Sequence, residues 1–437
     1  MVLIGERNFP IRRSSHCLPD RNGANNQLSE RPGWELQLKS PSSLDPVCRV
    51  LLEQPALPQY RWPVFRNLAR RPNLQLTCIY GDEPGLDNTD PQSKPGPAGS
   101  RGHWISTKSQ RIGFGNFRPF FRHPGVAQWI RRNKPDCVVL TWNTRNLTLY
   151  ESMISARLVG SKIVLWGHGY SKRETLLRQT IRSVVGRFAD CLLFYSETGR
   201  EKFRLHSPKS PPSFVARNAI DFEALRPALQ SVDRSSSSRI HFLQANGVNP
   251  EQPVILYVSR IQAANRLDWL IDAITQIQPK IPVTLVVIGS DPDEQTDKLK
   301  QRNEASAHPA TIRWLGPNYD ETALAHWFVY SDVFCYPQNV GLSILHAMFY
   351  GLPVVTSDNA DKQNPEFEAV VPGVNAVTFR DGSIKDLAKQ LTNLLDSEAL
   401  RHKIGDAGRN YILSNYSIAS MVDGFIDAIS QATDRQL

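Results

Sequence analysis

The sequence predicts an α/β protein of two doubly wound, parallel-sheet domains facing across a cleft, and three observations lead there. Short β-branched runs alternate with helical patterns along most of the chain. The alternation comes in two series, parted by a change of composition at 230–238 that contains Ser235-Ser-Ser-Ser238. At 437 residues, the chain is long enough for two such domains each to bury a core.

Taken in order, residues 1–45 are polar and aperiodic and are expected to be a disordered extension. A first strand is predicted at 47–52. The loop Gln54-Pro-Ala-Leu-Pro-Gln-Tyr-Arg61 follows, then a helix with Val64, Phe65 and Leu68 on one face. A second strand is predicted at 74–80, and the Pro/Gly/Asp-rich segment 81–101 reads as a mobile excursion. Further strands are expected at 136–141, 162–166, 190–195 and 214–216, with helices at 149–158 and 173–188 between them. The second series has strands at 254–258, 283–288, 311–315, 333–336 and 354–356. An amphipathic helix from about 418 to 432 closes the chain. The resulting division is 1–45 extension, 46–225 first domain, 226–252 linker, 253–415 second domain, and 416–437 a helix packing back toward the first domain. Ligands of such sheets sit at the C-terminal strand ends, here in the cleft between the domains.

Hydrophobic content of 41% with 21% charged residues is ordinary for a soluble globular protein. No apolar run reaches bilayer-spanning length, and Glu6, Arg7, Arg12 and Arg13 leave no room for a secretory apolar region. The six cysteines show no metal-ligand or redox spacing, and all but Cys17 fall in predicted strands as small buried hydrophobes. A reducing cytoplasm is the expected location. The formal charge of +9 invites an anionic partner. From Arg101 to Lys134 basic residues interleave with Trp104, Phe114, Phe117, Phe120, Phe121 and Trp129, with no Asp or Glu. That mixture suits a membrane interface or single-stranded nucleic acid, and equally a solvated loop with partly buried aromatics. Helix 173–188 likewise sets Leu177, Ile181, Val184 and Phe188 against Arg173, Arg178, Arg182 and Arg187.

The most informative stretch is 331–368. A short strand ends at Pro337, a helix pattern runs from Leu342 through Leu345 to Phe349, and Gly351-Leu-Pro353 stops that helix before the next strand. A strand-to-helix junction at Gly341 presents unpaired backbone amides to an anion, and Gly341 lets the anion come close.

The second series, taken with two elements of the first, resembles the family-4 retaining glycosyltransferases of the two-domain GT-B fold. The matching elements are Tyr257-Val-Ser-Arg260 with Arg266-Leu-Asp-Trp-Leu-Ile-Asp-Ala273, Val287-Ile-Gly289, Ile312-Arg-Trp-Leu-Gly316, and Gly341 to Met348. Gly351-Leu-Pro-Val-Val355 and Pro365-Glu-Phe-Glu368 continue them, and Trp166-Gly-His-Gly169 and Arg217-Asn-Ala-Ile-Asp221 join from the first domain.

The resemblance implies sugar transfer from a nucleoside-diphosphate donor, with retention and without a bound metal or other cofactor. It implies that Arg260 neutralises the diphosphate and that His168 meets the transferring sugar, these two being the catalytic candidates. Gly289, Gly341 and Leu342 join the donor side, and Gln59, Tyr60 and Arg61 the acceptor side. Three positions depart from the pattern. Gln338 and His346 stand where glutamates eight apart are usual, and Asn265 where a diphosphate-binding lysine is common. His346 can still accept from a ribose hydroxyl. Like a polysaccharide-synthesis subgroup with histidine at that place, the chain offers Glu366 or Glu368 for a sugar-hydroxyl contact, while Arg266 or Arg61 would have to make good the missing lysine. Asp291-Pro-Asp293 resembles an acidic metal pair but reads as a solvated turn.

The expected activity is hexosyl transfer to a lipid-linked or surface polysaccharide acceptor, by a cytoplasmic enzyme docked peripherally on the inner membrane face. The expected partners are a nucleotide sugar, a glycolipid or polysaccharide, and an anionic membrane surface met through 101–134 and 173–188. A non-catalytic nucleotide-sugar binder is the first rival reading. A nucleic-acid binder ranks last, since it leaves Arg260 and Gly341 without a role.

Overall fold

The computed structural model describes residues 47–82, 88, 102–113, 120–170, 172, 175–278 and 280–437. The extension expected at 1–45, nearly all of the excursion at 81–101, and Phe114, Phe117 and Arg173 lie outside the described residues.

The first half contributes strands β1 (Cys48–Gln54), β2 (Leu74–Tyr80), β3 (Gly102–Ser106), β4 (Gln110–Ile112), β5 (Phe120–Arg122), β6 (Cys137–Thr141), β7 (Lys162–Gly167), β8 (Cys191–Phe194) and β9 (Ser213–Val215). The second contributes β10 (Val254–Val258), β11 (Thr284–Ile288), β12 (Thr311–Gly316), β13 (Val333–Cys335), β14 (Val354–Ser357) and β15 (Val377–Phe379). Seven strands form one sheet in the order β3-β2-β1-β6-β7-β8-β9, and six form another in the order β12-β11-β10-β13-β14-β15. Every neighbouring pair in both sheets is parallel. Sheets of this kind are covered by helices on both faces, so their central strands read as unbroken apolar runs: β11 (Thr-Leu-Val-Val-Ile) is buried along its whole length. The architecture is therefore two Rossmann-like α/β lobes.

Three parts differ from the sequence expectation. The presumed linker is folded: helices Phe222–Ser231 and Ser236–Ala245 put Leu225, Leu229 and Leu243 into the core of the second lobe. Its serine run is a helix start. Ser235 accepts from the amide of Ser238 (3.3 Å), and Asp233 accepts from the hydroxyls of Ser235 and Ser238 (2.8 and 2.6 Å). The basic-aromatic stretch is not a free loop either. It supplies edge strand β3, the antiparallel pair β4–β5 and helix Val126–Asn133, and Trp104 packs on Trp62 with ring centroids 4.7 Å apart. Among its described aromatics, Trp104 and Trp129 are half-buried against the core and Phe120 is exposed. Third, β15 adds an edge strand beyond the last one expected.

The final helix, Ile418–Thr433, leaves the second lobe and lies on the first. Its buried face of Met421, Val422, Phe425 and Ile429 belongs to the same apolar cluster as β1, β6 and β7. Phe425 meets Trp166 edge-on at 4.6 Å and Phe65 at 6.3 Å. This helix ties the lobes together by apolar burial, so Phe425→Ala is expected to cost about 3–5 kcal/mol. Urea unfolding followed by tryptophan fluorescence measures the loss; one below about 1 kcal/mol would show that the helix is not docked there. Among the described residues no helix is long and apolar enough to cross a membrane. The described cysteines (Cys48, Cys78, Cys137, Cys191 and Cys335) are buried and unpaired.

Candidate functional site

In the second sheet β10 sits between β11 and β13, so the connections leaving its C-terminal end and that of β13 run to opposite faces. A crevice opens where they part, and that is where sheets of this type bind ligands. The loop after β10 carries Ser259 and Arg260; the loop after β13 runs from Tyr336 through Asn339 to Gly341. A cavity of about 350 Å³ lies between them. Arg260, Asn265, Gly341, Leu342 and His346 line it from the second lobe, and Gln59 closes it from the first.

Each wall is held from behind. Asn265 is buried, and its Nδ2 donates to the Arg260 carbonyl (2.7 Å) and to Ser259 Oγ (3.3 Å). The Tyr257 hydroxyl donates to the same Arg260 carbonyl at 3.2 Å. With its backbone fixed, Arg260 extends into the open, and its guanidinium pairs with no carboxylate among the described residues. Across the crevice, buried Gln363 accepts from the Val340 amide (2.9 Å) and donates to Thr356 Oγ1, Ser357 O and Ser357 Oγ at 3.0–3.1 Å. That pins the turn leading to Gly341. Helix Ser343–Phe349 then begins with no side-chain cap. The amides of Ile344 and Leu345 bond back to the carbonyls of Gly341 and Leu342 at 3.2 and 3.0 Å. Those of Gly341, Leu342 and Ser343 meet no acceptor among the described residues. A cation and three open amides therefore face one space, and a Cβ added at Gly341 would meet nothing within 4 Å.

His346 sits one turn further on. Its Nδ1 lies 3.2 Å from the Leu342 carbonyl, which can only accept, so Nδ1 carries the hydrogen and Nε2 is left as an acceptor. Burial pushes its pKa down, which keeps the ring neutral. In this form Nε2 can accept one hydrogen bond from a hydroxyl. Glu321, also lining the cavity, has a buried Oε2 with no partner, and burial raises its pKa.

The opposite wall belongs to the first lobe. His168 follows β7 and is exposed to the cleft, its ring 4.6 Å from that of Tyr195. The glycines beside it serve packing: a Cβ at Gly169 would lie 2.4 Å from the Phe194 ring, and Gly169 also has φ +71°. Desolvation by the surrounding protein, with Arg61, Lys172 and Arg182 nearby, pulls the His168 pKa down to about 4. Arg61 is buried, lies 4.6 Å over the Trp166 ring and donates to Asn218 Oδ1 at 2.8 Å.

Seven expected site residues do not line the cavity: His168 and Arg61, described above, and Gln338, Gly289, Glu368, Glu366 and Tyr60. Gln338 turns away and donates to Asp381 at 2.9 Å, in a cluster with Asn359 and Lys362. Gly289 is a close-approach position, where a Cβ would fall 1.8 Å from the Ser259 carbonyl oxygen. Glu368 caps a helix of the other lobe: its carboxylate accepts from the amides of Glu197 and Thr198 at 3.0 and 2.5 Å, at the start of Glu197–His206. Glu366 is buried and accepts from Asn218 Nδ2 at 2.7 Å; desolvation raises its pKa. Tyr60 is half-exposed beside Arg61. Arg266 bonds Asp268 at 2.7 Å and lies 4.3 Å over the Trp269 ring. Asp291 caps its own turn, accepting from the amides of Gln295 and Thr296, and no acidic or histidine cluster among the described residues fits a metal ion.

Sequence reasoning passed over Lys172, Asn218, Asn339 and Gln363. Asn218 was in view, inside Arg217-Asn-Ala-Ile-Asp221. Asn339 takes a left-handed backbone (φ +62°) just before Gly341, a position where asparagine is a usable signal.

Comparison with solved structures settles the architecture. Anabaena HepE in complex with UDP superposes with a TM-score of 0.67 at 18% identity, over 88% of this chain and 100% of that one. The fold is GT-B. Within the GT-B chain, residues 252–397 match the family model for glycosyl transferases group 1. A D-inositol 3-phosphate glycosyltransferase from Jonesia denitrificans is 29% identical over 243 residues, which is 54% of this chain and 53% of that protein. A GDP-mannose-dependent alpha-(1-6)-phosphatidylinositol monomannoside mannosyltransferase from Mycolicibacterium smegmatis is 23% identical over 276 residues, 60% of this chain and 68% of that one. The chain spans about half the length of the D-inositol 3-phosphate glycosyltransferases it matches.

The His168 shift gives a pH test. Its pKa of about 4 in the folded chain is below the ordinary 6.5, so the unfolded chain binds the proton more readily between those values. The stability this group contributes is present above pH 6.5 and is lost as pH falls toward 4. An NMR titration is expected to show the ring neutral down to about pH 5, and His168→Gln to flatten the pH dependence of stability in that window. A midpoint at or above 6.5 would contradict this environment.

Proposed function

We propose that the chain is a retaining glycosyltransferase that moves a sugar from a nucleoside-diphosphate donor to a lipid-linked or surface polysaccharide acceptor without a metal ion. One observation carries the reading: an unpaired guanidinium and three open backbone amides converge on a single cavity at the switch point of the second sheet. A diphosphate leaving group gathers negative charge as the glycosidic bond breaks, and fixed donors aimed at that charge are the strongest catalytic aid a protein can offer it. In this arrangement Arg260 and the amides of residues 341–343 take the diphosphate, His346 Nε2 accepts from the ribose, and His168 faces the sugar across the cleft. Neutral at ordinary pH, His168 can accept from a sugar hydroxyl. The bound carboxylates of Glu366 and Glu368 are poorly placed as nucleophiles, so retention follows a same-face displacement in which the departing phosphate takes the proton of the incoming hydroxyl. Group 1 glycosyl transferase relatives and the UDP complex of a GT-B neighbour support the donor class.

A panel of UDP-, GDP- and other nucleotide sugars tests this by thermal shift. A donor at about one hundred times its dissociation constant is expected to stabilise the chain by about 2.7 kcal/mol. Arg260→Ala is expected to lower donor turnover on the order of 10²–10³-fold while leaving the fold intact. Unchanged turnover would remove Arg260 from the mechanism. Donor binding without transfer across a broad acceptor screen would instead favour the non-catalytic reading, which Asn265 and the averted Gln338 support.

The acceptor proposal includes peripheral docking on an anionic membrane. Helix Leu176–Arg187 exposes Leu176 (83%), Leu177 (70%) and Val184 (46%), and Phe188 (63%) follows it. Arg178, Arg182 and Arg187 lie on the same helix, so apolar insertion and attraction to acidic headgroups act together. Sedimentation with vesicles containing acidic phospholipid is expected to pull down the wild-type chain and to lose the Leu176→Glu/Leu177→Glu variant. Equal recovery of both would contradict docking through this helix.

A further inference from the structure

Among the described residues lining the cavity, Arg260 is the one cation. Asn265 stands where the resembled family has lysine, Arg266 is paired with Asp268, and Arg61 is committed to Asn218 and the Trp166 ring. A diphosphate carries more negative charge than one guanidinium offsets, so a site with Arg260 alone is underfilled.

We propose that Lys172, delivered from the first lobe, is the second diphosphate-binding cation, taking over the role that the asparagine at 265 cannot fill. This rests on the donor-site reading above and deepens it. Lys172 follows His168 by four residues in the connection leaving β7. Its ammonium crosses the cleft and donates to Asn339 Oδ1. Asn339 in turn donates from Nδ2 to Asn265 Oδ1 at 2.7 Å, and Asn265 donates to the Arg260 carbonyl at 2.7 Å. One side chain therefore separates the ammonium from the place of the missing lysine, and Asn339 lies two residues before the open amides at Gly341. The Asn339 amide oxygen is a neutral acceptor that a phosphate oxygen, with its full charge, would replace to advantage. Desolvation by the surrounding protein pulls the Lys172 pKa down to about 8, with Glu366 acting in the opposite sense. An anion bound at the ammonium would reverse that desolvation effect.

The arrangement has a consequence for how the donor is gripped. A lysine at 265 would hold the diphosphate with the second lobe alone. With Lys172 the grip requires both lobes, so donor binding and closure of the cleft become one event, and His168 arrives on the same connection.

The test uses the full chain and measures binding of UDP, GDP and the corresponding bare nucleosides by calorimetry. Lys172→Met is expected to weaken the nucleoside diphosphate tenfold or more and to leave the nucleoside unchanged, because only the phosphates meet the ammonium. Adding Asn265→Lys to that variant is expected to restore diphosphate affinity by returning a cation from the other side. Wild-type binding that Lys172→Met leaves intact would overturn the assignment of Lys172 alone. So would an equal loss of nucleoside and nucleoside diphosphate, the mark of a merely structural role. Failure of the wild-type chain to bind any nucleoside diphosphate would overturn the donor-site reading itself and this inference with it.

Discussion

The site exists only while the two lobes face each other in a fixed register, and a short acidic segment sets that register. Pro365–Ala369, on the second lobe, sends two carboxylates to the first. Glu366 reaches Asn218, which also receives Arg61, so a single asparagine links the loop carrying Arg61 to the second lobe. Glu368 closes the amide end of helix Glu197–His206, where negative charge is favoured, with Arg217 Nε 3.8 Å away. Removing a partner from a buried pair of this kind strands a charge or polar group and costs about 3–5 kcal/mol for a full ion pair. The exposed Lys202–Asp361 pair at the same interface contributes far less. These carboxylates therefore work as clamps between the lobes.

Much of the architecture was legible because buried parallel strands cannot hide. Val254–Val258 and Thr284–Ile288 are apolar on both faces because helices cover both faces, and such runs stand out in any reading. The edge strands were not legible. Gly102–Ser106 is mostly exposed, so nothing in its composition separates it from the basic loop around it. The serine run at 235–238 misled for a different reason: serine serves both flexible linkers and helix starts, and only the apolar residues on either side of it, Leu229 and Leu243, distinguish the two.

Six of the residues singled out from the sequence come together: Arg260, Asn265, Gly341, Leu342, His346 and Gln59 all line one cavity. Others turn elsewhere: Gln338 faces Asp381, and Glu368 faces another lobe. Pattern gives a position in the chain, whereas orientation depends on partners that the pattern does not contain. Lys172 is the clearest case, since its partner Asn339 is 167 residues away and no local signal joins them.

The proposed chemistry rests on a diphosphate held between the Arg260 guanidinium and the amides of residues 341–343. The most direct measurement is a crystal structure of the chain with UDP or GDP bound, whichever the panel selects. Phosphate oxygens within hydrogen-bond distance of both groups are the expected result. A nucleotide seated elsewhere, or one whose phosphates leave Arg260 and those amides untouched, would contradict it.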